Sequence, residues 1–284
     1  MKEHELAKAF EHLNGMVPER AHSSAVILFA ARSAERQLVP FGTGSLFAIA
    51  DRRFIVTAAH VHEDAEKQGF DFLCATTRKG KFTPLHRGVW GVMHKFDVAI
   101  FELNSKNAED LDENVFLSLA DVALDVDLTS GLFAIFTVPA CWSESSFDDQ
   151  SGPVKAKALQ FVTTPYEGDV GLLADFNPTV HIALGANDEH LRNHDGLKIS
   201  WPDRLGGFLP GISGCAIWKI ADKYRPNARP EPDVARVVGV ETGVYSGPGV
   251  IKGTRWDAVG SLIQQGYPEL RSAFNIVWAS SSKL

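Results

Sequence analysis

Three short stretches of the 284-residue chain combine residue types that do chemistry with the small residues needed to hold them. In Gly42–Val61, GTGSLFAIADRRFIVTAAHV, a strand, a turn and a second strand run into Thr57-Ala58-Ala59-His60. Small residues ahead of a histidine let the backbone pack closely and hold the ring at a strand end. An imidazole there, with a pKa of about 6.5, suits proton transfer at neutral pH. In Lys95–Leu103, KFDVAIFEL, Asp97 opens an apolar run. A carboxylate at the mouth of a buried strand is costly unless a donor meets it, and an imidazole N–H would meet it and fix the ring's tautomer. In Gly206–Trp218, GGFLPGISGCAIW, Ser213 lies between Gly211 and Gly214 just before a strand. Glycines permit the tight backbone that points two N–H groups at one spot, and a serine hydroxyl becomes a nucleophile once a base takes its proton. Taken singly, each stretch has a plainer reading: a half-buried histidine closing a strand, a turn residue starting one, a Gly-Ser turn entering a hairpin.

The elements that must position these groups are short strands with turn punctuation. Ala25–Ala30, Leu38–Phe41, Ser45–Ala50, Arg53–Thr57, Asp71–Thr76, Lys81–His86, Gly88–Val92 and Val98–Leu103 read as strands, with Gly42, Gly44 and Asp51 between the early ones. A second β-rich half follows in Gly131–Val138, Ala156–Thr163, Val180–Ala183, Gly196–Ser200, Cys215–Ile220 and Val234–Glu241. Glu5–Leu13 and Trp256–Phe274 read as helices, the second interrupted at Pro268. The pattern predicts an all-β fold of two packed barrels with a C-terminal helix covering an open edge. The expected divisions are a helical segment over 1–24, a first barrel over 25–130 with His60 and Asp97, a second over 131–255 with Ser213, and a helix and tail over 256–284.

Together and in the order His60, Asp97, Ser213, the three stretches resemble the chymotrypsin-like (trypsin-like) serine peptidases. The matching residues are GTGSLF and VTAAH around His60, FDVAIFEL around Asp97 and PGISG around Ser213; Val237–Tyr245, VVGVETGVY, is similar to the strand lining that family's substrate cleft. The resemblance covers roughly Ala25 to Phe274, and it implies two six-stranded Greek-key barrels with the site between them. It implies Ser213 as nucleophile, His60 as general base and acid, Asp97 as the group orienting His60, and the N–H groups of Gly211 and Ser213 as an oxyanion hole. It requires no metal or organic cofactor. Gly207 falls where the family places the floor of the specificity pocket, and Glu241, Thr242, Gly243 and Val244 fall on its wall. Glu241 would favour a basic P1 side chain if it points inward, and it equally has the option of pointing away. Secreted members often bridge two cysteines where this chain has Gly42 and Val61, and secreted zymogens carry Asp where it has Ile212. The resemblance is therefore to an intracellular member that needs no N-terminal clipping.

Composition narrows the function further. Lys and Arg total 28 against 35 Asp and Glu, a net charge of -7, which argues against a general nucleic-acid binder. The longest near-apolar stretch, Gly131–Trp142, is broken by Thr137 and Pro139, so no membrane span is expected. The first residues lack the apolar core of a secretory signal, and Cys74, Cys141 and Cys215 are too few and scattered for a disulfide framework, so the cytoplasm is the expected compartment. Expected partners are a peptide or protein substrate, with an activating protein left open. An α/β-hydrolase is disfavoured, because its G-x-S-x-G elbow would need glycine at Cys215 and its serine comes first in the chain. Cys215 reads as packing. His60 with His62 on one strand face, and His190 with His194 at helical spacing, are weaker metal-ligand candidates. Two other functions stay open: a catalytically silent scaffold binding a peptide or partner, and an esterase using the same groups.

Overall fold

The computed structural model describes residues 19–32, 37–77, 79–85, 90–124, 126–137, 143–144, 155–156, 159–186, 191–193, 211–222 and 235–275. The expected helix at Glu5–Leu13, the strand at Gly196–Ser200, and the residues Gly207, Cys141, His190 and His194 lie outside them.

The first sheet contains β1 (Ala25–Arg32), β2 (Gln37–Ile49), β3 (Arg52–Ala58), β4 (Phe72–Thr76), β5 (Phe82–Pro84), β6 (Trp90–Met93) and β7 (Val98–Glu102). Their order is β5-β4-β1-β2-β3-β7-β6, antiparallel throughout. Then come β8 (Leu132–Thr137), a two-stranded ribbon of β9 (Ser143–Glu144) and β10 (Lys155–Ala156), and β11 (Leu159–Thr163), β12 (His181–Gly185), β13 (Leu191–Asn193), β14 (Ala216–Ala221), β15 (Arg236–Tyr245) and β16 (Val250–Arg255). Apart from the ribbon these form a second antiparallel sheet, β12-β16-β15-β14-β8-β11-β13. The fold is thus the two-barrel, all-β architecture with a C-terminal helix that the strand pattern predicts. Each sheet counts seven strands because a three-residue strand, β5 or β13, is added at one edge.

Three apolar clusters explain why the strands read as continuous apolar runs. One fills the first barrel, with Leu28, Leu46, Ile55 and Phe101, and another fills the second, with Phe133, Ile135, Phe161 and Ile251. The third joins the two halves and includes Phe47, Phe54, Val56, Trp218, Val237 and Trp256. Neighbours on one strand therefore bury opposite faces: Ile55 points into its barrel while Phe54 and Val56 point at the other half.

The C-terminal helix Trp256–Gly266 leaves the second barrel and docks on the first. Trp256 packs on Phe47 with ring centroids 4.2 Å apart, and Val259 and Ile263 are fully buried. The chain turns at Pro268, where the sequence expects an interruption, and Tyr267 donates to Glu102 at 3.1 Å. The helix thereby ties one barrel to the other. Among the described residues no helix is long and apolar enough to cross a membrane.

Candidate active site

The strand β3 ends at Ala58, and the chain turns directly into a helix, Ala59–Lys67. His60 therefore sits in the first turn of a helix rather than at the end of a strand. The helix also sends His60 and His62 to different sides, so the strand-face pairing does not arise. His62 instead stacks on Trp90, with centroids 4.4 Å apart and planes 7° from parallel.

The cap of this helix comes from elsewhere in the fold. Ala58, at the N-cap position, has no side chain to accept from the first-turn N–H groups. Asp97 supplies the acceptor: its Oδ1 takes the His60 backbone N–H at 2.9 Å. Its Oδ2 lies 2.8 Å from His60 Nδ1, and the Asp97 carbonyl accepts the Ala59 N–H at 3.1 Å. Asp97 reaches back this way because it closes a short 3-10 turn, His94–Phe96, in the left-handed region with φ of 53°. Aspartate tolerates that conformation better than most residues.

A carboxylate can only accept, so Nδ1 carries the proton and Nε2 is left as the acceptor in neutral His60. Burial of the ring pulls its pKa down. The hydrogen bond and charge of Asp97, joined by the charge of Glu241, outweigh that, and the net effect is upward from 6.5. The side chain remains 36% exposed, enough for a substrate to reach it.

Ser213 arrives from the second half on a loop held by the first. The Thr43 N–H donates to the Ser213 carbonyl and the Thr43 hydroxyl to the Gly211 carbonyl, each at 2.8 Å. Thr57 in turn donates to the Thr43 carbonyl at 2.7 Å. On the other side the Gly214 N–H donates to the Glu241 carbonyl at 2.9 Å. Gly211 and Gly214 have φ of 91° and 93°, a region that favours glycine. Among the described residues nothing in the chain accepts from the N–H groups of Gly211 or Ser213. The sequence by itself gives Thr43 and Thr57 no role in the site. The signal was a threonine between two glycines in GTG, facing a second threonine in VTAAH.

Position Gly42 bears on the missing bridge. A Cβ placed there would lie 2.7 Å from the Val61 methyl groups, so the two positions named in the resemblance do face each other, with side chains that cannot cross-link.

Glu241 is the unexpected member. The register of β15 on β16 shifts between Glu241 and Gly243, a bulge at Thr242 that re-aims the strand. Glu241 is fully buried, His60 and Asp97 act on its charge, and among the described residues neither carboxyl oxygen has a hydrogen-bond partner. The Ser213 hydroxyl and the Gly243 N–H approach it without reaching hydrogen-bond geometry. Burial pushes this carboxyl up to about 7 against the pull of the His60 charge. Among the described residues Ser213 makes no hydrogen bond to His60. Thr242 is buried with its hydroxyl unpaired, Val244 packs on the second barrel's core, and a Cβ at Gly243 would meet open space. Cys215 is fully buried, and burial pushes its thiol far above the ordinary value. Among the described residues no three His, Cys, Asp or Glu side chains stand together as metal ligands.

No family model matches this chain, and no curated protein matches it. Solved structures similar to it include a serine endoprotease from Yersinia pestis, 14% identical with a TM-score of 0.49, covering 90% of this chain and 67% of that one. A Glu endopeptidase is 12% identical with a TM-score of 0.46 over 86% of this chain and 90% of its own. A thermostable serine protease from an extremophilic microorganism is 11% identical with a TM-score of 0.45 over 87% and 96% of the respective chains.

Proposed function

We propose that this chain is a serine endopeptidase of the trypsin-like type, acting without metal or organic cofactor on a peptide or protein substrate in the cytoplasm. The observation that carries the reading is the double hydrogen bond from His60 to Asp97, which leaves Nε2 unprotonated and able to act as a base. Ser213 Oγ attacks the scissile carbonyl carbon as Nε2 takes its proton. The oxygen becomes an oxyanion accepted by the N–H groups of Gly211 and Ser213. The intermediate collapses, the C–N bond breaks, and His60 returns the proton to the leaving amine. Water, deprotonated by the same nitrogen, then splits the acyl-serine ester. Asp97 stabilises the imidazolium in both halves.

A silent scaffold that binds a peptide is the second reading, favoured by the absence of a Ser213–His60 hydrogen bond among the described residues. A fluorophosphonate probe separates the two. Labelling of the full chain that disappears in Ser213→Ala supports the peptidase, and a peptide library then gives its preference. No labelling of either form supports the scaffold.

A further inference from the structure

The strand β15 holds Glu241 between two backbone bonds to the nucleophile loop: its carbonyl accepts from Gly214 and its N–H donates to the Cys215 carbonyl, both at 2.9 Å. With the bulge at Thr242 this fixes the backbone of Glu241 against the loop that carries Ser213. The groups that act on the Glu241 carboxyl electrostatically are His60 from the helix, Asp97 from the turn before β7, Ser213 from the loop and the buried Cys215 thiol just ahead of β14. The remaining neighbour, β16, places Gly253 opposite and adds no charge there. Among the described residues no lysine or arginine pairs with Glu241. A buried carboxylate without a partner is strongly disfavoured, and the one cation the site can make beside it is the His60 imidazolium.

We propose that Glu241 is a positioning residue that shares one proton with His60. In one form the proton is on the Glu241 carboxyl, His60 is neutral, and its Nε2 is free to receive the Ser213 hydroxyl. In the other the proton has moved to Nε2, and the Glu241 carboxylate faces an imidazolium and accepts from Ser213. The net charge of the cluster, with Asp97 ionised, is the same in both. The two groups therefore titrate as a pair rather than singly. Burial raises the Glu241 carboxyl to about 7, so it gives up its proton in the pH range where an imidazole takes one. The catalytic meaning of the exchange rests on the peptidase reading; the exchange itself does not.

The test is NMR titration of the His60 ring in the full chain, wild type against Glu241→Gln. The wild type is expected to titrate in two steps, and the variant in one, with its midpoint lower by about one pH unit. Glu241→Asp, which keeps the charge, should restore the second step. An unchanged His60 curve overturns the proposal. A second measurement needs no variant: in wild-type chain carrying carboxyl-labelled glutamate, the Glu241 signal should move in the same steps as His60. A Glu241 signal that titrates as an ordinary surface carboxyl, independently of His60, overturns it equally. Coupled titration with no fluorophosphonate labelling would refute the peptidase and leave the shared proton standing; labelling with uncoupled titration would do the reverse. Where the chain is active, the acid limb of kcat/KM should move to lower pH in Glu241→Gln by the same amount as the ring's midpoint.

Discussion

Gly214→Ala tests whether the loop that carries Ser213 is held as tightly as its contacts imply. The added Cβ would lie 2.0 Å from Thr57 Oγ1, 2.1 Å from the Thr43 carbonyl oxygen and 3.0 Å from the Ala58 nitrogen. None of the three can yield alone, because Thr57 donates to that same carbonyl and Thr43 holds Ser213 and Gly211. The backbone is also at φ of 93°, which costs an alanine about 1–2 kcal/mol. Overpacking at such a site costs about 1–3 kcal/mol, and loss of the buried Thr57 bond about 1 kcal/mol more. The sum, roughly 3–6 kcal/mol, is a large part of a domain's total stability. Urea unfolding should show that loss, and the rate of fluorophosphonate labelling should fall with it as Ser213 is displaced. Gly247→Ala is the control, since a Cβ there meets nothing within 4 Å. A Gly214→Ala protein as stable as the control and labelled at the wild-type rate would refute the reasoning.

Asp97→Asn should lower the rate by several orders of magnitude, because an amide can present a donor to Nδ1 and favour the wrong tautomer. It should also cost about 1 kcal/mol of stability through the weakened helix cap, readable in the same urea titration. Cys215→Ala should leave fluorophosphonate labelling at Ser213 unchanged, and native Cys74 and Cys215 should resist iodoacetamide, since burial raises the Cys74 thiol to about 12 and pushes the Cys215 thiol well above its ordinary value. The base must be neutral to act, so with His60 raised the acid limb of kcat/KM should have its midpoint above 6.5; a midpoint below that value contradicts the Asp97 contribution. Burial raises Glu241 from an ordinary 4.5 to about 7 within its pair with His60, so the stability the pair contributes through it is present below 4.5 and lost as pH rises through 7. That loss, up to roughly 3 kcal/mol in pH-dependent unfolding, should be missing from Glu241→Gln.

The alternation of short apolar runs with glycine and aspartate turns was enough to specify an all-β chain closing on a helix. A strand buried on both faces and a helix with one apolar stripe leave few other packings. The residue types around His60, Asp97 and Ser213 carried the chemistry in the same way, because each kind of group needs small neighbours that show in the linear text. What the text could not show is how groups far apart in the chain meet. Asp97 caps a helix whose own N-cap is an alanine, and this needs the long-range antiparallel pairing that brings β7 beside β3. VTAAH read as a strand end because its apolar run has a strand's length; tertiary capping by Asp97 is what allows the helix to begin there. Thr43 and Thr57 looked like ordinary strand residues until the second half laid Ser213 against them. Whether Glu241 faced outward or inward was undecidable from alternation alone, since one bulge at Thr242 re-aims the strand, and a bulge is a property of the pairing of β15 with β16. Local sequence sets which groups are present and what backbone each can adopt; long-range pairing decides which of them share a proton.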